Sequence, residues 1–286
     1  MRLFLLPIST RRTLFYCQKL QSLPSEKQPW VDKITLRAAK LWAGWEKKES
    51  GWQKSVVTYG NKALRRIPYE EWGLKSVPTL STRRREEEII GKEKHHLIFP
   101  ESIISTTRAP EILRTLATER ESLHRSRLIW CFVGMPLSAP FALVPVIPNL
   151  PFFYLAYRAW SHYRALAGGK HLQWLVSNNF LTMSPSKILD TFYPGRFPSP
   201  ETSERESAQA NIKGSYQSDT RLSDEEILLL TQERGRQLAQ ALEIPELEAE
   251  LERAIWQVET AIQKKTEESK KATSTSKPNE SKVEEK

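Results

Sequence analysis

Between Arg127 and Arg158 the chain runs for 30 residues without a charged side chain, LIWCFVGMPLSAPFALVPVIPNLPFFYLAY. A hydrocarbon core ~30 Å thick is crossed by about 20 apolar residues wound as helix. The run from Leu128 to Tyr157 is long enough for that, and it lacks the polar stripe of an ordinary core helix. It therefore predicts a membrane segment. Pro136, Pro140, Pro145, Pro148 and Pro151 interrupt it, each removing a donor and disfavouring helix just before it. Two arrangements fit: a single kinked span, or a re-entrant hairpin turning near Pro148-Asn149-Leu150-Pro151. The single span is favoured, because few apolar residues remain after Pro151 for a returning arm.

Charge frames this run unevenly. Residues 1–127 hold 25 Lys+Arg against 14 Asp+Glu, and residues 223–286 hold 10 against 15. A basic N-terminal half suits anionic headgroups or nucleic acid, and the balance alone does not choose between them. Positive residues lie on both flanks of the run, so its orientation is weakly specified. Beyond it, Trp160, His162, Tyr163, Arg164 and Trp174 mix aromatic rings with cations, a composition for a headgroup interface or an amphipathic helix packed on a soluble domain.

The first acidic residue is Glu26. Residues 1–25 are Arg-rich, Ser/Thr-containing and acid-free, the composition of a mitochondrial targeting segment, although Arg2–Ile8 also reads as a first strand. Residues 26–127 form a basic, mainly helical domain in which Trp30, Ile34, Ala38, Leu41 and Trp45 recur at helical spacing. Residues 158–193 are interfacial and helical. Residues 194–222, rich in Pro, Ser, Glu and Gln, read as a flexible linker, and residues 264–286 as a disordered tail. In residues 223–263 a capping box at Ser223 opens a first helix and Pro245 a second. Ile227, Leu238, Leu242, Leu247, Leu251 and Val258 are their pairing positions, as a helical hairpin or a short coiled coil. Such a pair is barely stable alone and should dock on something. The fold class expected is mainly α and membrane-anchored.

Cys17 and Cys131 are too isolated for a disulfide framework or a metal cluster. No phosphate-cradling glycine loop, zinc spacing or serine elbow is present, so no catalytic, metal or cofactor residue is expected, and no cofactor. Glu70 and Glu71 read as solvated or capping carboxylates.

Three stretches carry a resemblance: Met1–Thr10 (MRLFLLPIST), Pro145–Ala165 (PVIPNLPFFYLAYRAWSHYRA) and Ile244–Ala254 (IPELEAELERA). Together they resemble the fungal family of mitochondrial potassium/proton exchange-related proteins. The resemblance implies a protein of the mitochondrial inner membrane serving assembly or regulation of that exchange. The expected role is an accessory or scaffold rather than an enzyme or a stand-alone transporter. Its expected partners are membrane lipid, other inner-membrane proteins of the exchange system, and further copies of itself. The rival reading is a membrane-tethered protein binding nucleic acid or ribosomes in the mitochondrion. It is disfavoured because the basic residues are spread among acids and no recognised nucleic-acid motif appears.

Overall fold

The computed structural model describes residues 1–18, 37, 40–91, 95–138, 140, 150–193 and 226–275. At its centre lies a sheet of four strands in the order β2-β1-β3-β4: β1 (Arg2–Pro7), β2 (Thr13–Gln18), β3 (His95–Phe99) and β4 (Leu181–Pro185). β1 runs antiparallel to β2, with Phe4 opposite Tyr16, and parallel to β3, with Leu3 opposite Leu97. β3 and β4 are parallel. Residues 40–46 are helical, and the helices that follow are α1 (Trp52–Arg65), α2 (Tyr69–Ser76), α3 (Thr82–Gly91), α4 (Ala109–Thr118), α5 (Glu121–Leu137), α6 (Leu150–Ser177), α7 (Lys187–Asp190), α8 (Gln232–Ala241) and α9 (Pro245–Thr275).

The fold is therefore mixed α/β, not mainly α. β1 is covered on both faces, so its apolar residues run on without the alternation that marks a half-exposed strand. Leu3 and Leu5 point to one core, shared with Phe15, Leu97 and Phe99 and closed by Leu74 of α2, Leu113 of α4 and Leu172 of α6. Phe4, Leu6 and Ile8 point to the other, closed by Leu238 of α8 and Leu247, Leu251 and Val258 of α9. The segment with a targeting-like composition thus supplies the two strands β1 and β2.

The membrane expectation also changes. Among the described residues, no helix is long and apolar enough to cross a membrane. The uncharged run is divided between the second half of α5 and the first turns of α6, which lie antiparallel: Gly134 approaches Leu155, and His124 meets His162. Counting residues overstated the run because a span needs one continuous helix. α5 carries Pro136 within it but ends at Leu137, and Pro140 sits in a 3-10 turn. Pro151 is in the first turn of α6, where its missing donor costs little. Pro145, Pro148 and Asn149 lie outside the described residues.

The C-terminal pair is not a coiled coil. Leu238, Leu247, Leu251 and Val258 are fully buried and Leu242 partly so, and they pack onto the β1–β2 face as well as on each other. Ile227 is not on a helix. Residues 226–231 are extended, Leu228 bridges to Ser9, and the Ile227 carbonyl accepts from the Thr10 N–H at 3.0 Å. Backbone pairing with the β1–β2 turn holds these residues out of a helix, and Ser223, the expected cap, lies outside the described residues.

Two glycines set how closely the layers approach. A Cβ on Gly73 of α2 would strike the backbone carbonyl of Phe15 in β2, and one on Gly168 of α6 the backbone carbonyl of Leu74 in α2. α2 is wedged between the sheet and α6, and this contact turns its first-turn carboxylate inward.

Candidate functional site

α2 follows Pro68 and places Glu70 and Glu71 in its first turn. Glu70 faces outward and pairs with Arg120 at 2.8 Å. Glu71 is fully buried. Arg158 of α6, itself only 8% exposed, donates to both its oxygens, Nη1 to Oε1 at 2.8 Å and Nη2 to Oε2 at 3.1 Å. The Ser161 hydroxyl donates to Oε1 at 2.5 Å, and Lys75 Nζ donates to Ser161 Oγ at 3.0 Å. One turn of helix after Arg158 comes His162, whose Nε2 lies 3.1 Å from Arg158 Nη2, and His162 Nδ1 lies 3.0 Å from Nδ1 of His124 on α5. Three helices are thereby tied together by one buried polar chain.

The hydrogens on the two histidines are fixed by Arg158. A guanidinium only donates, so His162 Nε2 must accept. His162 then carries its proton on Nδ1 and donates it to His124 Nδ1. His124 must carry its own proton on Nε2, and that nitrogen is buried with no partner.

Burial dominates the electrostatics. It pulls Lys75 down to about 7, with the attraction of Glu71 only partly opposing it. The Lys75 ammonium sits 3.3 Å from the centroid of the Trp72 ring, and the Arg253 guanidinium of α9 lies 4.3 Å from the same centroid. Burial also lowers His162 to about 4 and lowers His124, in both cases against the attraction of Glu71 and with Arg158 adding to the fall. For Glu71 burial works upward, but the bonds from Ser161 and Arg158 and the charge of Arg158 outweigh it, so its carboxyl is held below the usual range.

Glu71, His124 and His162 offer ligand atoms within 4.8 Å of one another. A divalent cation there would share the carboxylate with a guanidinium that already takes both oxygens, and would compete with that guanidinium for His162 Nε2. Like charges at such range repel strongly in a buried setting. The donor set fits a proton better than a metal.

A second carboxylate–histidine group lies at the start of β3. Glu88 of α3 approaches His171 of α6 at 3.3 Å and His95 of β3 at 3.5 Å. Burial would raise its carboxyl, but the histidine contacts outweigh this and bring it to about 2. His95 Nδ1 accepts from the Met1 amine at 3.1 Å, and His171 Nδ1 donates to the Pro78 carbonyl at 2.8 Å.

Lys75 yields a prediction with a definite sign. Its ordinary value is 10.5, and in the fold it is about 7. Between those values the unfolded chain holds a proton that the folded chain has released, so stability rises with pH across this window. Lys75→Met should flatten that rise. Urea titrations at pH 7 and pH 9 measure it, and an unchanged pH slope in the variant would contradict it.

The residues expected at a headgroup interface are scattered. Arg127 is exposed on α5, but Arg158, the opposite boundary of the run, is at the centre of the buried network. His162 is buried in the same network, Trp160 and Arg164 are half-buried, and Tyr163 is exposed. Trp174 packs against Phe180 with ring centroids 5.1 Å apart. Leu128 and Tyr157 are half-buried, and Leu128 lines a shallow apolar groove of about 270 Å³ between α5 and α6, together with Phe132, Met135 and Trp160. Sequence reasoning missed Glu71, Lys75, His124 and Ser161. A faint signal existed: Glu71 and Lys75, like Arg158 and His162, are four residues apart and so share a helix face.

These features define a class: a helix-covered, mixed α/β sheet protein that buries an arginine–carboxylate–histidine chain beneath a helical hairpin with an exposed apolar end. No solved structure matches the chain. The chain belongs to the family described as mitochondrial K+-H+ exchange-related, whose profile matches residues 2–176. That span holds the four strands' first three and every member of the buried network, and it stops before α8 and α9. An uncharacterized protein of Schizosaccharomyces pombe is 32% identical over 193 residues, covering 66% of this chain and 81% of that one. An uncharacterized protein of Saccharomyces cerevisiae is 24% identical over 279 residues, covering 88% and 82%. The family's description ties its members to the mitochondrion and to potassium/proton exchange.

Proposed function

We propose that this protein is a non-catalytic accessory factor of potassium/proton exchange at the mitochondrial inner membrane, held on the lipid surface by the end of the α5–α6 hairpin. The observation that carries this reading is where apolar surface is exposed. Trp130 is 70% exposed, Leu137 73% and Phe153 61%, and Ile129, Phe132, Val133, Phe152 and Tyr154 are exposed beside them. All lie on the part of the hairpin without charge, and Arg125 and Arg127 are exposed at its base. Contiguous apolar surface of this kind marks an interaction site. Aromatic rings above a basic rim suit an anionic headgroup layer. From Leu128 to Leu137 the helix rises roughly 15 Å, enough to reach the headgroup–acyl boundary from one side.

The buried network supports an accessory role over ion carriage. Its one carboxylate is neutralised by Arg158, and a fixed guanidinium beside it repels potassium. Partner proteins of the exchange system, or further copies of the chain, would carry the ions.

Two measurements test the reading. Trp130→Glu/Phe153→Glu is expected to reduce flotation with anionic phospholipid vesicles at least tenfold while leaving urea unfolding nearly unchanged, since both side chains are exposed. Flotation equal to wild type would remove the docking surface. Purified protein alone, reconstituted in vesicles, is expected to give no exchange of potassium for protons; exchange above that of empty vesicles would make the chain a carrier.

A further inference from the structure

We propose that the His124–His162 pair is a proton-binding site, and that taking up a proton releases the root of α5 from α6 and α2. The proposal deepens the membrane reading by naming a regulation of the same hairpin, but its evidence is independent of lipid.

The geometry leaves no place for an added proton while the chain of bonds is intact. Both histidine lone pairs are in use: His162 Nε2 accepts from Arg158, and His124 Nδ1 accepts from His162. A proton from solvent that binds His124 Nδ1 must break the bond to His162, the buried side-chain bridge from α5 to α6. One that binds His162 Nε2 must break the bond to Arg158.

The surroundings decide where the charge can go. From α2, Glu71 faces the pair and Lys75 bonds to Ser161 beside it, with Glu70 held by Arg120. Arg120 comes from the N-cap of α5 and Arg127 from α5 itself, with the Cys131 thiol near Glu71 and Arg158, and α6 supplies Arg158 and Ser161. Glu250 and Arg253 of α9 act on Lys75 from behind. An imidazolium at His124 therefore meets three guanidinium groups and a single carboxylate already paired to Arg158. The neutral closed state is itself held weakly on this side, because the His124 Nε2–H has no acceptor. Swinging the ring into water satisfies that donor and solvates the new charge. His162 Nδ1, 3.8 Å from Glu71 Oε2, can then turn its proton toward the carboxylate.

The depressed values of both histidines agree with this order of events: proton uptake accompanies opening rather than preceding it. With an ordinary value of about 6.5 in the open form, each histidine favours opening about tenfold more at pH 5.5 than at pH 7.5.

Amide hydrogen exchange on the full chain, without vesicles and corrected for the intrinsic pH dependence of exchange, tests the idea. Amides of Leu123–Leu128 are expected to lose protection by about tenfold or more between pH 7.5 and 5.5, relative to those of Leu247–Val258, and His124→Gln/His162→Gln should abolish the difference. Should that variant fail to fold, nitrogen-15 spectra of the wild-type histidines at pH 7.5 provide the check: protons on His162 Nδ1 and His124 Nε2 support the proposal, and the opposite tautomers overturn it. Equal loss of protection in both helices, or a difference that persists in the variant, overturns it as well. So does zinc at pH 7.5 protecting Leu123–Leu128 in wild type but not in His124→Gln, which would make the cluster a metal site. Because no lipid is present, none of these outcomes depends on whether the hairpin docks on a membrane.

Discussion

Arg158→Ala is expected to lower the free energy of unfolding by about 3–5 kcal/mol, because it strands the Glu71 carboxylate in the interior. Glu71 is 0% exposed and takes two of its three hydrogen bonds from this guanidinium. The loss arises from the orphaned charge more than from the pair's own attraction, which desolvation largely offsets. Glu71→Leu/Arg158→Met should therefore recover part of the stability, since it removes the orphaned charge and leaves only the neutral Ser161 hydroxyl and His162 Nε2 without these partners. Urea unfolding of the single and double variants measures both. A loss under about 1 kcal/mol for Arg158→Ala, in the range of a surface pair, would show that the network is not buried in solution.

Removal of residues 1–18 is expected to abolish cooperative folding altogether. The segment has the composition of a cleavable leader, yet Leu3, Phe4, Leu5, Leu6, Ile8, Leu14, Phe15 and Cys17 are all buried in it. Large apolar side chains contribute about 1.5–3 kcal/mol each on burial. Their sum is on the order of the whole ~5–15 kcal/mol stability of a typical domain. The deletion also takes both β1 and β2 and leaves β3 and β4 as a two-stranded remnant of the sheet. Thermal melts followed by circular dichroism check this; a cooperative transition within a few degrees of wild type would contradict it.

Some of the architecture was legible in the residues. Leu238, Leu247, Leu251 and Val258 stand at helical spacing, and they are buried as that spacing requires. What hid the sheet was double coverage: RLFLLP shows no alternation because α2, α4 and α6 lie on one side and α8 and α9 on the other, so its arginines and missing acids spoke louder than its strand pattern. The buried network was hidden for a related reason. Arg158 closes an uncharged run, where a cation ordinarily marks a membrane boundary, and its partner Glu71 is 87 residues away. A local reading sees two unremarkable surface charges. Only the close approach of α2 to α6, permitted by Gly168, turns them into a pair. His124 likewise carries no motif, and it acquires meaning from the antiparallel return of α6.

The central claim, that the exposed end of the α5–α6 hairpin places this protein where it assists exchange, is tested most directly by potassium-acetate swelling. Mitochondria lacking the chain and re-supplied with wild type should regain swelling, whereas Trp130→Glu/Phe153→Glu supplied at equal abundance should not restore it. Equal restoration by both, or swelling that never depended on the protein, would contradict the account.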